Sequence, residues 1–138
     1  MFLIDTNVIS EVRKQTRANT GVTEFFRNAE DNGDALYLSV IAIGELRRGV
    51  ELIRHRGDAA QALRLDEWLS VVIDQYREMI LSFDSDAAQV WGRLRVPNPE
   101  HELDKQIAAI ALVNSLTVVT RNASHFSGTG VAVLNPFR

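Results

Sequence analysis

The chain has 138 residues, of which 46% are hydrophobic and 24% charged, and this composition is ordinary for one folded domain. Lysine and arginine number 15 against 18 acidic residues, and the net charge of −3 excludes a protein that binds nucleic acid through bulk positive charge. The chain has no cysteine, which excludes disulfide scaffolds, cysteine-ligated zinc sites and thiol catalysis.

Five short apolar runs predict buried strands of a parallel sheet. They are Phe2–Ile4, Leu36–Leu38, Ile80–Phe83, Leu116–Val119 and Val131–Leu134. Segments with helical spacing alternate with these runs, and such alternation is typical of a parallel sheet covered by helices. The sequence therefore predicts an α/β fold.

Four helices are predicted between the strands, because apolar residues recur at helical spacing over 43–53, 65–76, 87–94 and 103–110. The break at Gly57 predicts that the first two form a hairpin between the second and third strands. Asp84 or Ser85 is the predicted N-cap of the third helix.

No apolar segment is long enough to act as a leader or an anchor. The N-terminal run meets Asp5 too early for a signal peptide, and the longest unbroken apolar run, 107–113, is far below the roughly 20 residues of a membrane helix. We therefore expect a cytoplasmic protein without a membrane segment.

Polar residues follow the predicted strands at the end where ligands bind in open α/β sheets. Asp5 follows the first strand, Ser39 ends the second, and Asn122 lies just beyond the fourth. Glu45 lies about a turn and a half beyond Ser39, and Asp104 opens the helix that leads into the fourth strand. We expect these polar groups at one rim of the sheet.

Glu45 has an unusual position on its helix. At about 100° per residue it falls beside Ala42 and Gly49, next to the apolar stripe rather than on the charged face. An acid at the edge of a buried stripe costs free energy unless another group satisfies it. Asp104 has a similar setting, because alanines four and seven residues later leave room above it.

Carboxylates that converge at low dielectric constant repel one another, and a divalent cation removes this repulsion. Oxygen ligands without cysteine or a histidine pair favour Mg²⁺ or Mn²⁺ over zinc. Such a cation activates water and neutralises a phosphoryl group, which is the usual chemistry of acid-cluster nucleases.

Each of these acids also has a purely structural interpretation. Asp5 and Asp104 could be helix N-caps, and Glu45 could pair with Arg48 one turn further on. The three histidines follow no metal-ligand spacing, and we interpret His55, His101 and His125 as surface or loop residues.

Four motifs, in order, resemble those of the PIN-domain family. The first is Leu3–Glu11 (LIDTNVISE), and the second runs from Ser39 to Val50 and ends in GELRRGV. The third begins at Asp104 (DKQIAA), and the fourth is Val119–Asn122 (VTRN). Order, spacing and length fit over essentially the whole chain, which we interpret as a single PIN domain of residues 1–138. The resemblance is closest to VapC-type toxins of bacterial toxin–antitoxin pairs, in the FitB-like branch.

The resemblance implies a three-layer α/β/α sandwich with a mostly parallel five-stranded sheet. It also implies an endoribonuclease that hydrolyses RNA phosphodiesters with Mg²⁺, Mn²⁺ being plausible as well. The partners it implies are an RNA substrate, a second copy of the chain in a homodimer, and a small VapB- or FitA-like antitoxin. Operator DNA is expected only through the complex with the antitoxin.

Matched by position, Asp5, Glu45 and Asp104 correspond to the family's acidic triad, which holds metal. Asp5 and Asp104 correspond to its direct metal ligands. The supporting hydroxyls correspond to Thr6, Ser39 and Thr120. Arginines that could hold the RNA strand are Arg47, Arg48, Arg93 and Arg95.

One departure from the family pattern concerns the fourth motif. That motif commonly supplies a further acid, either at the position of Asn122 or three residues later, where this chain has His125. The site then carries three formal negative charges, which favours one well-held metal and a weak second one. Asn122 can still ligate metal or orient water through its amide, so we count it among the catalytic candidates.

The missing acid leaves an alternative open. The chain could be a catalytically weak PIN-like module that binds RNA or its antitoxin without cutting. A receiver-like signalling domain fits less well, because it would require paired acids after the first strand.

Overall fold

The computed structural model describes residues 1–138 and contains a five-stranded sheet in which all neighbouring strands are parallel. The strands are β1 (Phe2–Ile4), β2 (Leu36–Ser39), β3 (Ile80–Leu81), β4 (Thr117–Val119) and β5 (Val133–Leu134), in the order β3-β2-β1-β4-β5 across the sheet. The parallel five-stranded sheet predicted above is confirmed. The last three strands are shorter than the apolar runs that indicated them.

Six α-helices accompany the sheet: α1 (Thr6–Val12), α2 (Thr20–Asn32), α3 (Val40–His55), α4 (Ala59–Gln75), α5 (Ser85–Leu94) and α6 (Glu102–Val113). Helices α3 and α4 form the predicted hairpin between β2 and β3. The side chain of Asp84 accepts a hydrogen bond from the Ala87 N–H, so Asp84 and not Ser85 is the N-cap of α5. None of the helices combines the length and the apolar composition that a membrane crossing requires.

Helices α1 and α2 have no counterpart among the predicted elements. Local signals nevertheless mark α2, since the Asn19 side chain caps its first turn and Gly33 ends it at φ 68°. The apolar side of α2 packs on the sheet, where the rings of Phe25 and Phe2 meet edge to face at 5.2 Å.

The sheet separates two hydrophobic cores. Successive strand residues point to opposite faces, so Leu3 and Val118 pack with α5 and α6. Their neighbours Ile4 and Val119 pack in the other core with α1 to α4. Helices therefore cover both faces, and the three-layer α/β/α architecture is confirmed.

The strand order reverses between β1 and β4. The chain passes from β1 to β2 and β3 on one side, and then returns to place β4 and β5 on the other. Asp5 follows β1, Ser39 ends β2 and Thr120 follows β4, and all three residues are buried. Ligands of open α/β sheets bind at such a switch point, beyond the carboxyl ends of the strands.

The C-terminal segment packs against α2 at Gly21, and a substitution there can test this contact. A Cβ atom at this position would lie 2.1 Å from the carbonyl oxygen of Pro136, so Gly21→Ala must displace backbone. We expect this variant to lose about 1–3 kcal/mol of unfolding free energy in urea denaturation. In the control Gly44→Ala, on α3, the added Cβ meets nothing within 4 Å, and stability should stay equal or rise by about 0.5–1 kcal/mol. Equal stabilities of the two variants would contradict this packing.

Candidate active site

Asp5 lies at the switch point and is only 3% exposed. Its Oδ1 accepts a hydrogen bond from the Thr6 N–H at 2.7 Å, and its Oδ2 accepts one from the Thr120 hydroxyl at 2.7 Å. The Asn7 amide makes a longer contact of 3.4 Å with Oδ2. All three donors are neutral, so they orient the carboxylate without cancelling its charge. The bond from Thr6 also makes Asp5 the N-cap of α1, as its structural interpretation expected.

Asn7 and Thr120 tie together the segments that follow β1 and β4. The Asn7 amide donates to the Thr120 hydroxyl at 3.3 Å, and its Oδ1 accepts from the Arg121 N–H at 3.0 Å. The Thr120 oxygen also accepts from the Asn122 N–H at 3.0 Å. This network fixes the direction of the hydroxyl that contacts Asp5.

Glu45 is half-buried on α3, and its Oε1 accepts a hydrogen bond from the Thr6 hydroxyl at 3.3 Å. Thr6 therefore contacts two of the three predicted acids, Asp5 through its backbone and Glu45 through its side chain. The expected ion pair between Glu45 and Arg48 does not form, and that interpretation is wrong. Arg48 acts on Glu45 only as a more distant positive charge.

Asp104 lies in the first turn of α6, which begins two residues earlier at Glu102. The N-cap of α6 is His101, so the interpretation of Asp104 as an N-cap is wrong. The side chain of Asp104 instead meets His125, with Oδ2 2.8 Å from Nδ1 of the imidazole.

The charge of Asp104 acts on the two other carboxylates, Asp5 and Glu45. Burial raises the pKa of Asp5, the charge of Asp104 raises it further, and the hydrogen bonds from Thr120 and Thr6 oppose this shift. Burial also raises the pKa of Glu45, followed by the charges of Asp5 and Asp104. Sequence reasoning expected this mutual repulsion, and the structure provides the burial that strengthens it.

Glu11 shows how the same chain neutralises a structural acid. Its carboxylate accepts hydrogen bonds of 2.9 Å from the Lys14 ammonium and from the Asn19 N–H, and these bonds lower its pKa. Asp5 and Glu45 have no cationic partner within 4 Å. A group of carboxylates with raised pKa values and no such partner suits a hard divalent cation such as Mg²⁺ or Mn²⁺.

Two of the other predicted residues act less directly. The Ser39 hydroxyl accepts from the Ala42 N–H at 3.1 Å, so it caps the helix that carries Glu45 and does not touch the carboxylates. Asn122 is exposed and joins the network through its backbone N–H, with its side-chain amide free at the rim.

The four arginines proposed for RNA contact divide into two pairs. Arg47 is held by ion pairs with acids of α3 and α4, and the guanidinium of Arg95 lies 4.7 Å from the ring centre of Trp91. Arg48 and Arg93 are exposed and form no ion pair. Arg48 and Arg93 are therefore the two arginines that are free to bind phosphate.

A groove of about 290 Å³ opens beside Glu45. Helices α1, α3 and α4 form its walls, with Leu65 and Trp68 as apolar lining and Arg13 and Arg56 as basic lining. Thr6 and Glu45 also line this groove, so it reaches the candidate site.

The sequence predicts His101 and His125 as surface or loop residues without metal-ligand spacing, and the structure brings the two side chains together. Their rings stack with centroids 4.1 Å apart and planes at 17°. One ligand atom from each of His101, Asp104 and His125 lies within 4.8 Å of the others. The sequence held two signals of this group: His125 occupies the place of a fourth acid, and His101 precedes Asp104 by three residues.

The profile of the PIN domain matches residues 2–130 of this chain. The chain belongs to the PIN-domain family. Toxin FitB from Neisseria gonorrhoeae is 35% identical to this PIN domain over 99% of each chain. A relative from Sinorhizobium fredii, VapC ribonuclease Y4jK, is 28% identical over 99% of this chain and 98% of its own. The structure of FitAB bound to an IR36 DNA fragment superposes with a TM-score of 0.84 at 32% identity, covering 100% of this chain and 96% of that one. The resemblance to FitB-like PIN toxins is confirmed.

The raised pKa values predict how the stability of this PIN domain depends on pH. Without a divalent cation, the folded state holds the protons of Asp5 and Glu45 more tightly than the unfolded chain does. The contribution of these two groups to stability should therefore fall as pH rises from about 4, the ordinary carboxyl pKa, towards 7. Glu45→Gln keeps an acceptor for Thr6 but has no charge, so in EDTA its melting temperature should exceed that of the wild type at pH 7 and approach it near pH 4.

Glu51→Gln is the matched control on the same helix. Hydrogen bonds from Arg54 lower the pKa of Glu51, so this substitution should not raise the melting temperature at pH 7. If the melting temperature of Glu45→Gln at pH 7 equals that of the wild type or lies below it, another group already compensates the charge of Glu45.

Proposed function

We propose that this PIN domain is the toxin of a toxin–antitoxin pair and acts in the cytoplasm as a metal-dependent endoribonuclease. The observation that supports this most is that Asp5 and Glu45 are held on neighbouring elements without a cationic partner, while burial and the charge of Asp104 raise the pKa of both. The names of its relatives, toxin FitB and VapC ribonuclease, point to the same chemistry.

The donor set of the site suits Mg²⁺ or Mn²⁺. Asp5 and Asp104 would hold the ion directly, and Glu45 directly or through water. When bound, such an ion neutralises charge on the phosphoryl group and lowers the pKa of water. With three formal negative charges and no fourth acid, the residues favour one well-held ion.

The surrounding residues position the carboxylates and the RNA. The Thr120 hydroxyl and the Thr6 N–H hold the Asp5 carboxylate, and the Thr6 hydroxyl holds that of Glu45. The free amide of Asn122 is available to orient water or substrate at the exposed rim, where in-line hydrolysis of the phosphodiester would occur. Arg48 and Arg93 are the arginines available to hold the backbone of the strand.

Loss of either ligand acid should abolish RNA cleavage and preserve the fold. We expect Asp5→Asn and Asp104→Asn to reduce cleavage of a pooled RNA by about 10³-fold or more, because loss of even one preorganised electrostatic group costs about 10²–10³-fold. Excess EDTA should have the same effect on the wild type, and Mg²⁺ should restore its activity. Asp31→Asn is the control, because Asp31 is an exposed acid of α2 outside the site.

Undiminished cleavage by both variants in excess EDTA would refute the metal-dependent mechanism. Circular dichroism and melting curves of each variant separate loss of chemistry from loss of fold.

A second candidate function is a module that binds RNA or antitoxin without cutting. The observation that favours it is the presence of Asn122 and His125 at the two places where the family has a fourth acid. RNA binding by the wild type in Mg²⁺, with no cleavage, would identify this alternative.

We further propose a homodimer and a small VapB- or FitA-like antitoxin, whose complex with the toxin binds operator DNA. A partner that neutralises the toxin has to cover the carboxylates. The groove beside Glu45 offers apolar walls next to them, so we assign the inhibitory segment of the antitoxin to this groove.

A substitution that fills the groove should weaken the complex with the antitoxin. Gly49 lines the groove, and a Cβ atom there meets nothing within 4 Å, so Gly49→Gln should fold normally and occupy part of the cavity. We expect its affinity for the antitoxin encoded next to it to fall by about tenfold or more, which corresponds to about 1.4 kcal/mol. Gly44→Gln, equally open but outside the groove, is the control in calorimetry and size exclusion. Equal affinities of the two variants would exclude the groove as the docking place.

A further inference from the structure

We propose that His101, Asp104 and His125 form a second metal site, which binds a transition-metal dication such as Zn²⁺ or Co²⁺ in preference to Mg²⁺. One ligand atom from each residue lies within 4.8 Å of the other two. Nδ1 of His125 and Oδ2 of Asp104 now share a hydrogen bond of 2.8 Å. Two ligands of a tetrahedral ion with bonds of about 2.0–2.1 Å lie about 3.3 Å apart, so a bound ion would replace this hydrogen bond and separate the two atoms by about half an ångström. The third donor, His101, lies within the same 4.8 Å limit and would turn towards the ion.

The backbone at His101 supports a role beyond capping the helix. His101 has φ 55° and ψ 49°, a left-handed conformation that is uncommon for a residue other than glycine. Its side chain makes no capping hydrogen bond to α6. The chain thus adopts a strained conformation and omits a cap at the position that stacks this imidazole on His125. His101 is exposed, so its ring is free to turn towards an ion.

The donor chemistry separates this site from the oxygen ligands of Asp5 and Glu45. Two imidazoles with one carboxylate suit zinc, cobalt, nickel or iron, whereas Mg²⁺ prefers oxygen ligands and water. A polar cavity of about 360 Å³ adjoins both rings and has space for the waters that would complete the coordination. Lys105 also lines this cavity, but its ammonium group donates to the carbonyl oxygen of Asn98.

The two sites share Asp104 and differ in every other ligand. Metal binding at the histidine site requires only these side chains and is independent of RNA cleavage. Asp5→Asn, which disables the oxygen site, should therefore leave the histidine site intact.

The proposal can be tested by metal binding to the purified full chain, from which EDTA treatment and dialysis have first removed all metal. We expect one Co²⁺ or Zn²⁺ per chain by calorimetry, a visible absorption spectrum of Co²⁺ with nitrogen ligands, and much weaker binding of Mg²⁺. His101→Ala and His125→Ala should each weaken Zn²⁺ binding by about 100-fold or more, since loss of an outer-shell partner alone costs about 10–100-fold. His55→Ala is the control, because His55 is the third histidine and lies exposed at the end of α3.

Two results would overturn the proposal. One is Zn²⁺ binding by both histidine variants that equals binding by the wild type, and the other is an Asp5→Asn variant that loses Co²⁺ binding as completely as they do. His101 is exposed and makes no cap bond, so its variant keeps the test valid even if His125→Ala folds poorly. Unchanged Co²⁺ binding by an Asp5→Asn protein that no longer cleaves RNA would separate the two sites directly.

Discussion

The site depends on one electrostatic constraint, a buried carboxylate held in place by neutral donors alone. Asp5 receives hydrogen bonds from a backbone N–H and from the Thr120 hydroxyl, and neither removes its negative charge. Burial makes this charge costly, and Asp104 makes it more so. The fold orients the carboxylate firmly but leaves its charge without a cationic partner, which is an arrangement that a divalent cation stabilises.

Elsewhere in the fold, carboxylates are paired with cationic side chains. An uncompensated carboxylate is therefore a local feature of the switch point. Glu11 lies about one turn of α1 beyond Asn7, yet it is paired with Lys14 and with the backbone of Asn19, so its charge links α1 to the start of α2. Arg47 and Arg54 of α3 pair with Glu51 on the same helix and with the partly exposed Asp66 across the α3–α4 hairpin. Cations are thus available in the chain, and they stabilise helix contacts away from the switch point.

Much of this architecture can be predicted from the sequence because its signals are local. Short apolar runs mark the strands, helical spacing marks α3 to α6, and Asp5 and Thr120 directly follow the two strands that meet at the switch point. Helix α2 carries the same kind of signal, because its apolar residues 22, 25, 26 and 29 recur at helical spacing between the caps Asn19 and Gly33. The group of His101, Asp104 and His125 depends on a left-handed residue and on the loop before α6, and tertiary packing decides these.

Asp104 connects the oxygen ligands to the nitrogen ligands, and this position bears on the missing fourth acid. A carboxylate in place of His125 would add a negative charge beside Asp104 and raise the repulsion that Asp5 and Glu45 already feel. The imidazole instead supplies a neutral donor 2.8 Å from the same carboxylate, or a positive charge that lowers the pKa of Asp5 when it is protonated. Replacement of an acid by histidine therefore lowers the affinity of the site for hard cations. It also adds a nitrogen donor, which softer metals prefer. On this argument the substitution changes which ion the rim of the sheet selects, while the carboxylates of Asp5 and Glu45 keep their positions.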